Sequence, residues 1–166
     1  MLKAEASELL AILQTSGMYL AIAESLTGGL LAAEIVAVPG ASKVFLGSIT
    51  AYQNSIKGSE LNIAEELLAS QGAVSAQVAE AMAAGVRAKF ARAAGISPDR
   101  VIGVATTGVA GPEPDGQNPV GLVYLGFALP GGQVSSRRFD SSGDRSEIRH
   151  QAVRSALSEL REQIRH

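Results

Sequence analysis

A chain of 166 residues with 46% hydrophobic and 18% charged side chains is long enough to bury a core and too apolar to stay unfolded. Its formal charge of −2 lacks the clustered Lys and Arg excess of a nucleic-acid binder, and the absence of cysteine excludes disulfides, thiolate metal sites and a thiol nucleophile. One cytoplasmic domain without a signal peptide or membrane anchor is expected, because MLKAEASELLAIL carries acidic residues and no later apolar run is long enough to span a bilayer.

Residues 4–16 put Leu9, Leu10, Ile12 and Leu13 at helical spacing before Gly17. The run 18–24 reads as a buried strand, and Thr27 then stands as the N-cap of a helix bearing Leu30, Leu31, Ile35 and Val36 up to Pro39 and Gly40. Residues 44–52 read as a second strand running into a polar turn, QNSIKGSE, with a helix over 59–70 that stops at Gly72. Ser75 caps a long alanine-rich helix in which Val78, Met82, Val86 and Phe90 recur every four residues. The β-branched run 100–108 reads as a central strand buried on both faces. A loop dense in proline and glycine follows, then a strand over 120–129, a turn at 130–132 and an alternating edge strand in QVSSRRFD. Asp144 with Glu147 three positions on forms a capping box for a closing helix that carries Ile148, Val153, Leu157, Leu160 and Ile164.

Strands alternating with helices predict a three-layer α/β/α sandwich with a mixed, mostly parallel sheet of about five strands and one antiparallel hairpin. Ligands in such folds collect at the carboxyl ends of the strands. Parallel pairing would therefore gather the polar segments 24–29, 52–58 and 107–119 along one rim.

The stretch AESLTGG places Ser25 at a strand-to-helix corner, followed by Thr27, Gly28 and Gly29, whose amides open the predicted helix and can hold an anion. A serine nucleophile needs a base, and the two histidines lie in the closing helix (His150) and at the last position (His166). Of the four lysines, Lys3 is terminal, Lys43 precedes a strand and Lys89 sits on the long helix, whereas Lys57 follows the second strand. To act near neutrality Lys57 must lose about three units of basicity, a cost of about 4 kcal/mol that desolvation can supply. The loop TTGVAGPEPDGQNP adds Thr107 and the backbone of Gly108 and Gly111, a candidate anion-binding nest that matches neither phosphate-loop nor dinucleotide fingerprints. Arg145 and Arg149 stand where an arginine opposes the helix dipole, which points to a role other than helix stability.

AESLTGG, GSITAYQNSIK, GAVS, TTGVAGPEPDG with PVGLVYLGFA, and SGDR together resemble, in order and spacing, the CinA C-terminal domain family of nicotinamide-nucleotide amidases, over about residues 5–160. The resemblance implies hydrolysis of the carboxamide of nicotinamide mononucleotide to nicotinate mononucleotide and ammonia, in pyridine-nucleotide salvage, on an α/β/α fold without metal or cofactor. It implies that Ser25 and Lys57 form the catalytic pair, that Thr107 is the central loop residue and that Arg145 is the arginine of Gly-Asp-Arg. Whether Ser25 or Thr27 attacks is left open. Tyr52 and Asn54 are expected to orient Lys57 and substrate, the amides at Thr27, Gly28 and Gly29 with Thr107 to meet the oxyanion, and Arg145 with the loop of Gly108 and Gly111 to hold phosphate. Leu26 stands where relatives often have cysteine. Members also occur fused to a larger N-terminal domain, and this sequence is similar to the stand-alone form. The expected partner is a small-molecule nucleotide, without nucleic acid or membrane; the alanine-rich helix offers a small-residue face for a homodimer. The rival readings are a nucleotide-binding or interaction module that does not turn its ligand over, and an amidase for another small amide.

Overall fold

The computed structural model describes residues 2–165. The chain runs α1 (Leu2–Ser16), β1 (Tyr19–Glu24), α2 (Leu30–Val36), β2 (Phe45–Thr50), α3 (Asn54–Leu61), α4 (Glu65–Gln71), α5 (Ala76–Ala94), β3 (Val101–Gly108), β4 (Leu122–Ala128), β5 (Val134–Asp140) and α6 (Arg145–Ile164). One sheet has the order β2-β1-β3-β4-β5. β1 pairs in parallel with β2 and β3, and the β3–β4 and β4–β5 pairs are antiparallel. The sheet is mixed as expected, with β4 alone reversed: β4–β5 is the expected antiparallel hairpin, and β4 also pairs antiparallel with β3 because the loop after β3 returns the chain alongside it.

The sheet separates two unlike cores. On one face Leu20, Ile22, Ile102, Val104, Leu125 and Phe127 interlock with leucines and isoleucines of α1, α2 and α6. On the other, Ala21, Ala23, Ala105 and Ala128 meet Val78, Met82 and Val86 of α5 and Leu61 of α3. The small residues let α5 lie almost on the backbone: a Cβ added at Gly103 would strike Ala83 O, and one at Gly126 would strike Ala79 O. Ala79 and Ala83 of α5 therefore serve contact with the sheet. The loop leaving β1 runs to the α2 face and the loop leaving β2 runs to the α3 face, which opens a crevice at the carboxyl ends of these neighbours.

Two local expectations change. The segment expected as a polar turn is the helix α3, and the helix expected over 59–70 is split, with Asn62 at φ 55° between α3 and α4. The binary pattern of α3 is inverted: Ile56 is 40% exposed while Lys57 is buried on the same face as Leu61. Periodicity reads a buried lysine as polar and outward, so no amphipathic helix is visible to it. The other change is at α2, which starts at Leu30 rather than after Thr27. Ser75 caps α5 and the Asp144–Glu147 capping box opens α6 as read from sequence.

Candidate active site

In-register parallel pairing sets Glu24 beside Thr50 and Thr106, so the residues that follow, Ser25, Ala51 and Thr107, emerge side by side on the rim. Ser25 N donates to Thr106 O at 2.9 Å, and Ala51 N to Glu24 O at 2.9 Å, which stitches the corner to both neighbouring strands. A cleft of about 220 Å³ lies there, lined by Ser25, Leu26, Tyr52, Lys57, Ala73, Val74, the stretch 107–111, Glu113, Asp115 and Arg145. Seven of the residues singled out from sequence line it: Ser25, Tyr52, Lys57, Thr107, Gly108, Gly111 and Arg145.

Lys57 sits one helical turn into α3, and Nζ donates to Tyr52 O at 2.9 Å, its one hydrogen bond among the described residues. It is 1% exposed, and no other lysine is buried. Burial lowers its pKa below the ordinary lysine value of 10.5, because the apolar surroundings penalise the ammonium and no carboxylate offsets the loss. Ser25 is 8% exposed, and its hydroxyl makes no hydrogen bond among the described residues, Lys57 included. Serine and amine thus share a cleft with the bond between them unmade, as is common in ligand-free sites.

The remaining expectations are redistributed. The N-terminus of α2 is capped by a residue that precedes it: Glu24 Oε2 accepts from Gly29 N at 2.9 Å and Leu31 N at 3.1 Å, and Oε1 from Ala32 N at 2.9 Å. Thr27 is instead fully buried, with Oγ1 2.7 Å from Thr106 Oγ1. Gly28 N donates to Ser25 O at 3.1 Å, closing a turn that Gly28 at φ 59° and Gly29 at φ 100° can adopt without strain. The amides of Gly28 and Gly29 are therefore taken, whereas those of Leu26 and Thr27 make no hydrogen bond among the described residues. Thr27, Gly28 and Gly29 do not line the cleft, and neither does Asn54, which faces a separate groove between α3 and α4. Thr107 lines it, but its only proton is donated to Ala73 O at 2.7 Å, which leaves it acceptor capacity alone.

Arg145 closes the far wall, donating to Gly111 O at 2.6 Å and to the Tyr52 hydroxyl at 3.0 Å. Tyr52, 54% exposed, thereby links its backbone contact with Lys57 to a side-chain contact with Arg145. Glu113 and Asp115 add negative charge to the same cleft. Glu24, the Leu26 amide, Glu113 and Asp115 were not singled out from sequence. For Glu113 and Asp115 the signal was available, since both stand among the glycines and prolines of GPEPDG. His150 is exposed on α6 outside this lining, and His166 lies outside the described residues. Among the described residues no three His, Asp or Glu side chains form a metal-holding cluster, and no helix is long and apolar enough to cross a membrane.

The model of the CinA C-terminal domain matches residues 2–164. The chain belongs to the CinA C-terminal domain family. It is 46% identical over 155 residues to a CinA-like protein of Frankia casuarinae and 46% identical over 148 residues to a putative competence-damage inducible protein of Moorella thermoacetica, covering 93% and 89% of this chain. It spans about a third of the length of these curated relatives, 34% of each. Among solved structures, the CinA superfamily protein of Klebsiella pneumoniae 700603 superposes with a TM-score of 0.90 at 29% identity, covering 100% of this chain and 99% of that one. The competence/damage inducible protein CihA of Agrobacterium tumefaciens superposes with a TM-score of 0.88 at 31% identity, covering 99% and 96%. The CinA fold thus extends over the whole α/β/α sandwich described above.

Proposed function

We propose that the cleft hydrolyses the carboxamide of nicotinamide mononucleotide, giving nicotinate mononucleotide and ammonia, with Ser25 as nucleophile and neutral Lys57 as general base. The observation that carries this reading is a buried lysine of lowered basicity on the wall of the cleft that holds an uncommitted serine hydroxyl. An amine near neutrality without its proton can accept one, which an exposed lysine does poorly.

In the first half-reaction Ser25 Oγ attacks the carboxamide carbon while its proton passes to Lys57 Nζ. Collapse of the tetrahedral intermediate breaks the C–N bond, the proton goes from Nζ to the departing nitrogen, and ammonia leaves an acyl-serine ester. Water then attacks the ester with Lys57 again taking the proton, and the carboxylate product and the Ser25 hydroxyl are regenerated. The free amide of Leu26, a residue of the cleft lining, is the donor best placed in sequence for the oxyanion on carbon bonded to Ser25 Oγ. Thr107, its proton committed to Ala73 O, serves as cleft wall. Arg145 answers the substrate phosphate, and Glu113 and Asp115 answer the cationic pyridinium ring or the ribose hydroxyls, so the cleft carries charges of both signs as the substrate does.

The test is ammonia release from nicotinamide mononucleotide by wild type, Ser25→Ala and Lys57→Ala. Activity in the wild type and its loss in both variants is expected. Wild-type rates in either variant remove that residue from the mechanism, and no release by the wild type, with a panel of other small amides also inert, leaves ligand binding as the function.

A further inference from the structure

The two edges of the sheet, β2 and β5, are finished differently. β5 carries Arg137, Arg138 and Asp140, all exposed, with Arg137 paired to Glu159 at 3.5 Å and Arg138 to Asp140 at 2.9 Å. Charges of this kind keep an open edge from pairing with another chain, because pairing would strip them of water. β2 has none. Its residues, FLGSIT, include neither charge nor proline, and its exposed side chains are those of Ser48 and Thr50. The β1–β2 register slips once, between Leu20 and Ala21, and the run from Gly47 to Thr50 is regular. Among the described residues no backbone group outside the sheet bonds Phe45–Thr50, so the outward amides and carbonyls of β2 stand unpaired.

The lack of charge extends beyond the strand. Over residues 36–59 Lys43 and Lys57 are the only charged side chains, in a chain that is 18% charged, and Lys57 is buried. Val36, which ends α2 ahead of β2, and Tyr52 and Ile56, which follow β2, are large hydrophobic side chains left exposed. An open edge without charge and with apolar residues to either side has the composition of an interface core.

The same chemistry selects the occupant. A charged partner strand would lose its hydration against β2 and find no counter-ion there, so the partner must be as uncharged as β2 is. A second β2 meets that condition, and pairing about a two-fold axis makes the surface its own complement. Charge also sets the direction. Antiparallel pairing carries the two exposed Lys43 side chains to opposite ends of the joint, whereas parallel pairing would lay them side by side. The small-residue face of α5, expected from sequence to serve a dimer, is in part occupied, since Ala79 and Ala83 lie against the sheet.

We infer that β2 is a dimerisation edge, at which two copies of this chain pair β2 to β2 in antiparallel fashion and their sheets run on as one. Six residues a side supply about six backbone hydrogen bonds across the joint. The inference is independent of the amidase reading.

The test is sedimentation equilibrium of the full chain in the micromolar range. The wild type is expected at twice the chain mass. Ser48 lies at the middle of β2, where a two-fold axis brings the same residue of both copies together. Ser48→Lys therefore sets like charges against each other and is expected to raise the dimer dissociation constant by about 10²-fold or more. An equimolar mixture of Ser48→Lys and Ser48→Asp is expected to associate as a mixed dimer, because the position meets itself; a mixture that stays monomeric overturns the inference. Val134→Lys, at the exposed start of β5, and Ala84→Lys, on the exposed side of α5, are expected to leave the dimer intact. Dissociation by either overturns the inference, as does a wild type that sediments as a monomer. If Ser48→Lys does not fold, hydrogen exchange of the wild type decides. Protection within Phe45–Thr50 that rises with protein concentration, while Val134–Asp140 stays constant, supports the paired edges; exchange in Phe45–Thr50 that is independent of concentration refutes them.

Discussion

Glu24 and Lys57 are both ionisable and both essentially without solvent contact (0% and 1% exposed); Glu24 ends β1, and Lys57 sits in α3, the helix that follows β2. Their surroundings differ. Glu24 accepts three backbone amides with its two oxygens and closes the open end of α2, so its charge is fully answered. Among the described residues Lys57 makes one hydrogen bond, to a carbonyl, and has no carboxylate partner, so its charge is poorly answered and its affinity for a proton falls. A satisfied buried charge is a structural clamp. An unsatisfied one, in the cleft that also holds a free serine hydroxyl, is the base of the proposed reaction.

Substitutions at the two positions should separate these roles. The largest effect is expected on turnover: Ser25→Ala and Lys57→Met should each lower amidase kcat by on the order of 10³-fold or more, measured as ammonia release, with the folded structure retained by circular dichroism. Glu24→Gln exchanges a full acceptor for an amide that presents N–H to N–H; it should lower unfolding free energy by about 3 kcal/mol in urea titration. Equal loss of stability in Lys57→Met and Glu24→Gln would erase the distinction.

A pH series sharpens it further. The folded-state pKa of Lys57 is depressed, so between that value and 10.5 the unfolded chain binds the extra proton and stability rises with pH. Lys57→Met removes this term. Its Tm should exceed that of the wild type near neutrality, with the gain shrinking as pH approaches 10.5, and wild-type kcat should rise with pH along a limb below 10.5 as Nζ loses its proton. A flat difference in Tm between the two proteins from neutrality to pH 10.5 would contradict a buried, charge-averse Nζ. The smallest effect belongs to the buried hydroxyl pair behind the corner: Thr27→Val should cost about 1 kcal/mol by orphaning Thr106, and the Thr27→Val, Thr106→Val double variant should recover part of that loss in the same titration.

The legibility of the molecule from its sequence follows the same division. The five strands, the Ser75 cap and the Asp144–Glu147 capping box are local patterns, and each appears where its residues indicate. Ser25 and Lys57 could be singled out by chain position and by elimination among few candidates, and they line one cleft. The helix α3 was hidden because its pattern is inverted, with Ile56 outward and Lys57 inward, a local conflict of the kind expected where a site is built. The capping of α2 by Glu24 was hidden for another reason. A carboxylate five residues before a helix amide meets it only if the intervening turn folds back, and that turn is held by Arg149, more than a hundred positions away.

What the sequence alone determined, then, is the order of the strands, the sandwich they imply and the short set of groups able to do acyl chemistry, because strand runs, caps and the scarcity of lysine and histidine are properties of neighbouring residues and counts. Only the tertiary structure decided which of those groups are free. Thr107 spends its proton on Ala73, Gly28 and Gly29 spend their amides on Ser25 and Glu24, and Lys57 is stripped of water by helices and strands drawn from across the chain. Hydrogen-bond commitment and desolvation depend on what lies within a few ångströms, and distance along the chain does not carry that information.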